Sequence, residues 1–562
     1  MQQQQFFNPK AYPIVMAIDF GTTYSGCAYA YALDDKEVID ITSWPRQSVS
    51  YPKTPTLNLY KKDDPEHKLV AWGWKAKLET LKPSARHHTL LDQYKLHLDE
   101  HMRNSPLAVD ITVLDAISDY LAVFHEYVVG EIMRGFANNF RRDHFRYCLT
   151  VPAMWSDKAK NLMRQAAIKA QIINETDHPD RLMLISEPEA AALYCERKCD
   201  QFDLVHGDRF MICDAGGGTV DLIVFEIAVT SAGRRLSEVT KGHGASCGSV
   251  FLDRNMRRLL EQKFGHHAAN FPANIIPNLV DTFADFIKPQ FDGIEDQFLQ
   301  LPANRCFEDL EDPEAIGIDD GYLVLSAAEL KEHVFEPVVK DVLTLIQEQL
   351  TQSRNCSAIF MVGGFGSSNY LYSRTKVQFG GQVGLIAIPP RPELAVVRGA
   401  VCVGLNPRVV TARIARRSYG ISSDQPFEKG RDPLTKRKFE VNGVWCIDRF
   451  TLFVKKGQKL NVDECISREF SFTKYTEAPE DYNIALYAAD GDGNLPRYTT
   501  DAGVVKLADI PIPCPHPPTA RLGSIIKVKV IMNFGLNEIK AEADVGGKVY
   551  STILQFDAVD TY

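Results

Sequence analysis

Two short stretches of this chain place an acid, glycines and threonines directly after an apolar run. The first, residues 14–26, has the sequence IVMAIDFGTTYSG, and the second, residues 209–227, has the sequence RFMICDAGGGTVDLIVFEI. Glycine lets backbone N–H groups approach a phosphate closely, hydroxyls donate hydrogen bonds to it, and carboxylates hold Mg²⁺ and its waters. Either stretch alone is typical of a plain hairpin turn, but two such turns facing each other would form a clamp for a triphosphate.

The residue types in the two turns define a candidate phosphate site. Three consecutive glycines are the sharper indication, since a hairpin turn needs only one or two. The acids would flank a metal ion through its waters (Asp19 and Asp214) and order the attacking water (Asp221). The phosphate donors would be Gly21, Thr22 and Thr23 from one turn and Gly216, Gly217, Gly218 and Thr219 from the other.

The elements that must position these residues repeat one pattern. Each acid closes an apolar strand, a short turn follows, and a second strand runs on, so the sequence predicts a duplicated core with two equivalent lobes. A third stretch, 358–371, has a strand, a glycine-rich turn and a helix with a serine cap, which would point backbone N–H groups at an anion. Ser156 is the expected N-cap of a helix in 145–172, and a strand ending at Glu187 precedes another helix. This alternation predicts mixed α/β layers.

The composition changes after about residue 405. From Phe439 onward, runs of alternating polar and apolar residues are separated by Asp, Gly and Pro turns, and no long helix is visible. We expect a β-sandwich-like domain over 437–562 without a helical lid, joined to the α/β part by a connector over 406–436.

Composition and charge exclude several classes of protein. The 562 residues are 45% hydrophobic and 24% charged, and the net charge is −9, so no basic field favours nucleic acid or an anionic membrane surface. No apolar run approaches the ~18–20 residues of a membrane helix. The N-terminal MQQQQFFNPKAYP does not resemble a signal peptide, and the twelve cysteines lack zinc-ligand spacing. A cytoplasmic or nuclear protein with reduced thiols is expected.

Four motifs in this order resemble the actin-like ATPase superfamily: AIDFGTTYS, LTVPAMWSD with ISEPEAAALY, CDAGGGTVDLIVFE and VGGFGSS. Within it they resemble the heat shock protein 70 (DnaK-type) chaperones. Because no helical lid is predicted, the chain as a whole resembles a divergent, lid-less branch of that family. The resemblance covers residues 13–405 and implies a two-lobed fold of duplicated ribonuclease-H-like lobes. It predicts a flexible tail (1–12), lobe I (13–200) and lobe II (201–405), with the β-rich part in the place of a peptide-binding domain.

The resemblance also implies roles for single residues. Tyr24 joins the first phosphate loop, Lys95 approaches the γ-phosphate and the attacking water, and Glu187 helps hold the metal through water. Gly363 and Gly364 form a loop beneath the nucleoside, while Lys288 and Glu393 belong to the adenine side. Without the resemblance, both lysines would be interpreted as solvated helix residues.

Three positions differ from the family pattern, one of them Glu393, which stands where an aspartate is expected. Ser367 stands where these chaperones usually present an arginine that stacks on adenine, a contact of about 1–2 kcal/mol and so about tenfold in affinity. Lys160 stands where an arginine is expected a turn after Pro152. A lysine lacks the planar fork of arginine and is a poorer relay between the lobes.

Three functions are compatible with these observations. The first is a weak ATPase that couples ATP/ADP and Mg binding to the binding of unfolded or extended peptide segments or of a specific client protein, with J-domain or nucleotide-exchange co-chaperones. The second is a nucleotide-dependent scaffold or regulator with negligible hydrolysis. The third is a small-molecule (sugar) kinase of the same superfold, against which the appended β-rich part counts.

Overall fold

The computed structural model describes residues 10–553 apart from several short gaps. The gaps are 34–36, 63, 100–105, 137–138, 198, 232, 309, 441–442, 463, 475–476, 478–480, 492–494, 514, 517–519 and 535–538. Most of the predicted tail, residues 1–9, lies outside the described part. The described residues fall into two compact units, the first within Met1–Val229 and Gly242–Pro407 and the second within Thr230–Lys241 and Arg408–Tyr562.

The first unit contains two sheets with the same arrangement. Each sheet contains a hairpin whose two strands are joined by the predicted turn. Two further strands from later in the chain lie parallel to the first hairpin strand, the nearer one paired with it and the farther one paired with the nearer. The strand order of the first sheet is Ile39–Asp40, Tyr24–Tyr31, Ile14–Asp19, Phe145–Val151, Leu182–Ser186, with Lys53–Pro55 also on Tyr24–Tyr31. The second has Leu385–Ala387, Ala358–Val362, Arg209–Ala215, Val220–Thr230, with His243–Ala245 also on Val220–Thr230.

Smaller sheets and helices complete the first unit. The small sheets are Leu69–Trp72, Asn58–Lys61, His88–Leu91 and Gln297–Gln300, Tyr322–Leu325, Ile318–Asp319. The α-helices are Gly73–Glu79, Val113–Gly135, Asp157–Lys169, Glu187–Glu196, Val250–Phe264, Ile275–Thr282, Arg305–Glu308, Pro313–Ile316, Ala327–Glu329, Glu336–Ser353, Gly363–Gly366, Asn369–Phe379 and Ala395–Leu405. The 3₁₀ turns are Pro83–His87, Tyr94–Leu98, Arg142–His144, Pro179–Arg181, Cys199–Phe202, Gly265–Asn270 and Pro392–Leu394, and π turns span Phe283–Ile287 and Leu330–Phe335.

Local sequence explains where several helices begin. The Ser156 hydroxyl accepts a hydrogen bond from the Ala159 N–H at 3.3 Å, and Ser368 caps the helix after the glycine-rich turn in the same way. Both serine caps were predicted. The mixed α/β architecture with two similarly built sheets is compatible with the expected actin-like fold.

Two helices of the first unit cross unusually closely. A β-carbon built on Gly399 would lie 1.7 Å from the carbonyl oxygen of Ala190. Only glycine allows helix Ala395–Leu405 to approach helix Glu187–Glu196 at this point.

The second unit is built from strands. A parallel pair joins Gly233–Glu238 to Val410–Ile414, which also pairs with Lys459–Asn461. One larger sheet has the order Arg437–Glu440, Gly443–Val454, Ser418–Pro426, Tyr482–Ala489, Val504–Ile512, and the other Cys465–Thr473, Ile525–Asn533, Lys540–Val545, Lys548–Ile553. Side chains of both larger sheets share one hydrophobic cluster, and a 3₁₀ turn spans Leu434–Lys436. The segment 406–436, expected to be a connector, contributes two of the strands to this unit.

No helix in the described part of the chain combines the length and the apolar character needed to cross a membrane.

Candidate functional site

The two predicted turns meet face to face in the first unit. A β-carbon built on Gly217 would lie 2.4 Å from Oγ1 of Thr23, and one built on Gly218 would lie 2.3 Å from Oγ1 of Thr22. Any larger residue would push the turns apart. The glycines are therefore required by the close approach of the other turn, which explains why this hairpin has more of them than a turn needs.

The backbone of the glycine turn has a defined orientation. The carbonyls of residues 216–218 accept hydrogen bonds of 2.9–3.1 Å from the N–H groups of residues 248–250, at the start of helix Val250–Phe264. Because C=O and N–H point in opposite directions across a trans peptide, the amides of Gly217, Gly218 and Thr219 point away from that helix. Such a row of amides is the arrangement that binds phosphate.

The first turn is held from its outer side. The Thr23 carbonyl accepts a hydrogen bond of 2.8 Å from the Thr56 N–H. Gly21 lies in the tight part of the turn, where an added β-carbon would come within 2.1 Å of the Tyr24 carbonyl. The Tyr24 ring meets the Tyr51 ring edge-on at 6.4 Å, and burial, with Asp285 nearby, raises the pKa of Tyr24 to about 12.

Asp19, at the end of the first hairpin strand, is buried and fully engaged by the protein. Its Oδ2 lies 2.7 Å from the ammonium of Lys53, and its Oδ1 accepts a hydrogen bond of 3.0 Å from the Thr150 hydroxyl. Burial alone raises the pKa of this carboxyl, but Lys53, Lys95 and Thr150 outweigh burial and hold its pKa below the ordinary value.

Asp214, at the corresponding position of the second hairpin, has a different environment. It is 6% exposed and lies opposite Asp221 in the strand register. Burial, followed by repulsion from Glu187, Asp221 and Asp19, raises the pKa of Asp214 well above its usual range. The turn that carries Gly363 covers this carboxyl, since a β-carbon built there would lie 2.8 Å from Oδ1.

Lys95 and Glu187 form a buried ion pair beside these acids. Their Nζ and Oε1 atoms are 2.8 Å apart, and the Lys95 side chain is 4% exposed. The ammonium also lies 5.2 Å from the ring centre of Trp155. Burial, followed by Asp221 and Asp19, raises the pKa of Glu187 to about 7 although Lys95 opposes the shift. Lys95 is therefore a buried residue on a 3₁₀ turn. The interpretation from its residue type alone, a solvated lysine on a helix, is wrong.

Asp221 is completely buried, and its Oδ1 accepts a hydrogen bond of 3.0 Å from the Met154 N–H. Met154 lies in the segment after Pro152, which follows a strand of the first sheet. This segment of the first sheet therefore contacts Asp221, an acid of the second sheet. Together Asp19, Glu187, Asp214 and Asp221 interact electrostatically with one another. We call these four residues the carboxylate cluster.

The residues predicted for the adenine side have partners outside the carboxylate cluster. Lys288 follows the π turn and forms an ion pair with Asp253, at 2.7 and 2.8 Å from its two oxygens. Glu393 pairs with Arg391 at 2.7 Å. Gly364 borders open space, with no atom within 4 Å of an added β-carbon. The Ser367 hydroxyl, where the family has an arginine, donates a hydrogen bond of 2.7 Å to the Gly364 carbonyl.

Two residues at the site were missed by sequence reasoning, Lys53 and Thr150. Lys53 lies in YPKTPT, outside the motifs named above, and Thr150 lies inside the motif LTVPAMWSD, where no role was assigned to it. Each reaches Asp19 through strand pairing over a separation of 34 and 131 residues, respectively. Only a prediction of which strands are neighbours could have found them.

The charge of the carboxylate cluster is compatible with a divalent cation held through water. The carboxylate cluster brings four acids together, and two lysines, Lys53 and Lys95, form ion pairs with them. An excess of buried carboxylates is unfavourable unless a cation compensates it, and hard oxygen ligands favour Mg²⁺. Of the two acids predicted for the metal, Asp214 has no ion pair with either lysine, whereas both oxygens of Asp19 are engaged by Lys53 and Thr150.

The two sheets are built alike: in each, the first hairpin strand carries an acid at its end, and the turn that follows meets the turn of the other sheet. This architecture is compatible with the fold of the actin-like ATPases. Comparison with known proteins narrows the class. The chain is 25% identical to human heat shock 70 kDa protein 12A over 96% of its own length and 90% of that protein. It is 25% identical to the mouse protein 12A (94% and 89%) and to human heat shock 70 kDa protein 12B (95% and 89%). The predicted resemblance to a divergent heat-shock-70-like branch is confirmed.

A family model described only as a domain of unknown function, DUF8568, matches residues 413–511, within the strand-rich second unit.

Proposed function

We propose that this chain is a nucleotide-binding protein of the heat-shock-70 type that binds ATP and ADP with Mg²⁺ and hydrolyses ATP slowly. The observation that carries the proposal is the close approach of Gly217 to Thr23 and of Gly218 to Thr22, beside a buried carboxylate cluster. The amides of the glycine turn and the two threonine hydroxyls are the donors for the phosphates.

The charged residues support hydrolysis as well as binding. Mg²⁺, when bound, would neutralise phosphate oxygens. Lys95, held by Glu187 at 2.8 Å, is a buried cation that can stabilise negative charge developing on the γ-phosphoryl group. Asp221 can accept a hydrogen bond from the attacking water and so orient it. In the reaction, the water oxygen bonds to the γ-phosphorus while the bond to the ADP oxygen breaks; ADP leaves with the bonding electron pair, and a proton of the water passes to the released phosphate.

Calorimetric titration with ATP at a defined Mg²⁺ concentration tests the binding part of the proposal, and phosphate release tests hydrolysis. We expect Asp214→Asn, Thr219→Ala and Lys95→Met each to reduce the hydrolysis rate by about a hundredfold or more. The exposed surface variant Glu66→Gln is the control and should hydrolyse ATP at the unaltered rate. Absence of any heat of binding and of any nucleotide-induced stabilisation would reject the proposal.

A nucleotide-dependent scaffold with negligible turnover is the second candidate. It is favoured by Ser367, whose hydroxyl bonds to Gly364 and offers no cationic surface for stacking on adenine. This candidate predicts ATP binding without phosphate release above the Asp214→Asn background.

For the second unit we propose binding of extended peptide segments or of a client protein. Its two larger sheets share one core, so the unit has the strand framework that a peptide-binding domain requires. A fluorescent extended peptide should bind to the full chain and be released when ATP is added. Peptide binding that ATP leaves unchanged would favour the scaffold, and ADP formation only in the presence of a sugar would favour the kinase.

A further inference from the structure

Lys53 lies in the candidate site because of one strand pairing. Asp19 and Lys53 are on opposite sides of the same residue, Gly26, in the register of three neighbouring strands. A β-carbon built on Gly26 would be 3.0 Å from Cγ of Lys53. Because Gly26 has no side chain, the lysine can extend across it and place Nζ 2.7 Å from Oδ2 of Asp19.

The Lys53 ammonium has spare capacity for a ligand. A lysine ammonium has three donor hydrogens, and among the described residues Asp19 is the acceptor of its hydrogen bond. Its side chain is 14% exposed, against 4% for Lys95, so Lys53 is the more accessible of the two lysines. The Lys53 ammonium also interacts electrostatically with Asp214.

The pairing also affects the acid that the resemblance assigns to the metal. Both oxygens of Asp19 are engaged, one by Lys53 and the other by Thr150. A fixed ammonium is therefore present where a hydrated cation would otherwise compensate Asp19. A neutral residue at position 53 would leave that compensation to the metal alone.

We propose that Lys53 is a built-in cation of the phosphate site: it offsets the charge of Asp19, so that a bound polyphosphate meets less repulsion and nucleotide binding depends less on a divalent cation. This inference rests on the proposed nucleotide-binding function and concerns nucleoside di- and triphosphates. A lysine with only a structural role would strengthen binding equally with and without metal. A lysine that shares the task of the metal should matter more when the metal is removed.

The test is the ratio of two dissociation constants for ATP, one measured in EDTA and the other in excess Mg²⁺, by calorimetry on the full chain. For Lys53→Met we expect this ratio to rise about tenfold above that of the unsubstituted chain, the effect of one lost charge contact. Lys53→Arg, which keeps the charge, should leave the ratio within about twofold. Lys68→Met, at an exposed ion pair with Glu66, is the matched control and should not change it.

The outcomes separate the two proposals. If the unsubstituted chain binds no ATP in either buffer, the proposed function is wrong and this inference is lost with it. If it binds ATP but Lys53→Met leaves the ratio unchanged, only the inference is overturned. Should Lys53→Met not fold, Lys53→Gln, which is neutral but keeps a hydrogen-bond donor for Asp19, replaces it, and the same rise in the ratio is expected.

Discussion

Asp19 and Asp214 occupy equivalent places, each at the end of the first strand of a hairpin, yet their environments differ. Asp19 has an ammonium and a hydroxyl as partners, and its pKa lies below the ordinary value. Asp214 faces other carboxylates, and its pKa lies well above it. The two acids therefore share the same backbone arrangement, while the side chains around each of them set its pKa.

The largest effect expected from this comparison is on stability. Asp19→Asn leaves the Lys53 ammonium without its carboxylate, and breaking such a buried pair should lower the free energy of unfolding by about 3 kcal/mol. Asp214→Asn removes one of several mutually repelling acids, so the free energy of unfolding should stay the same or rise. Thermal unfolding of both variants without nucleotide or metal compares them. Equal losses in the two variants would show that the acids are equivalent after all.

The second prediction concerns the contact between the two turns. Gly217→Ala introduces a methyl group 2.4 Å from the Thr23 hydroxyl, and overpacking of this kind should lower the free energy of unfolding by about 2 kcal/mol. Gly130→Ala, in helix Val113–Gly135 with open space around it, is the control and should raise stability by about 0.5–1 kcal/mol. Denaturant unfolding measures both. A Gly217→Ala protein as stable as the parent would mean that the turns do not touch.

The third prediction follows from Glu187, whose pKa in the folded chain is about 7 against an ordinary value of 4.5. Between these values the folded state holds a proton that the unfolded state releases, so stability falls as the pH rises and levels off above about pH 7. From about pH 5 to pH 7 the loss due to this group is on the order of 2 kcal/mol. Melting temperatures across this range should fall less steeply in Glu187→Gln than in the parent. The surface variant Glu66→Gln should keep the parental slope; identical slopes in all three proteins would contradict the assignment.

The smallest expected change in stability concerns Thr150, the uncharged hydrogen-bond donor to Asp19. Thr150→Val removes the hydroxyl that donates to Asp19 at 3.0 Å, which should lower the free energy of unfolding by about 1 kcal/mol. Thr344→Val removes a hydroxyl that bonds within its own exposed helix turn and should change stability by less than about 0.5 kcal/mol. Chemical denaturation with both variants in parallel resolves a difference of this size. Indistinguishable midpoints would remove Thr150 from the account of Asp19.

Local features of the fold could be predicted from the sequence because they depend on near neighbours. The two hairpins, the caps Ser156 and Ser368 and the helix that starts at Glu187 follow from patterns a few residues long. Lys53 and Thr150 could not be found this way, because their contacts with Asp19 depend on which strands lie side by side. The segment 406–436 was expected to be a connector because its composition is basic and polar, and the structure places the strands Val410–Ile414 and Ser418–Pro426 in it.

The crossing at Gly399 and Ala190 has a mechanical consequence. A backbone carbonyl seated against a bare α-carbon blocks translation of one helix along the other, because either residue next to the glycine would carry its side chain into the groove. Glu187 is the first residue of one helix and Glu393 lies just before the other. Gly399 therefore fixes the depth at which two helices interlock, and each helix has one of these acids at or just before its N-terminus.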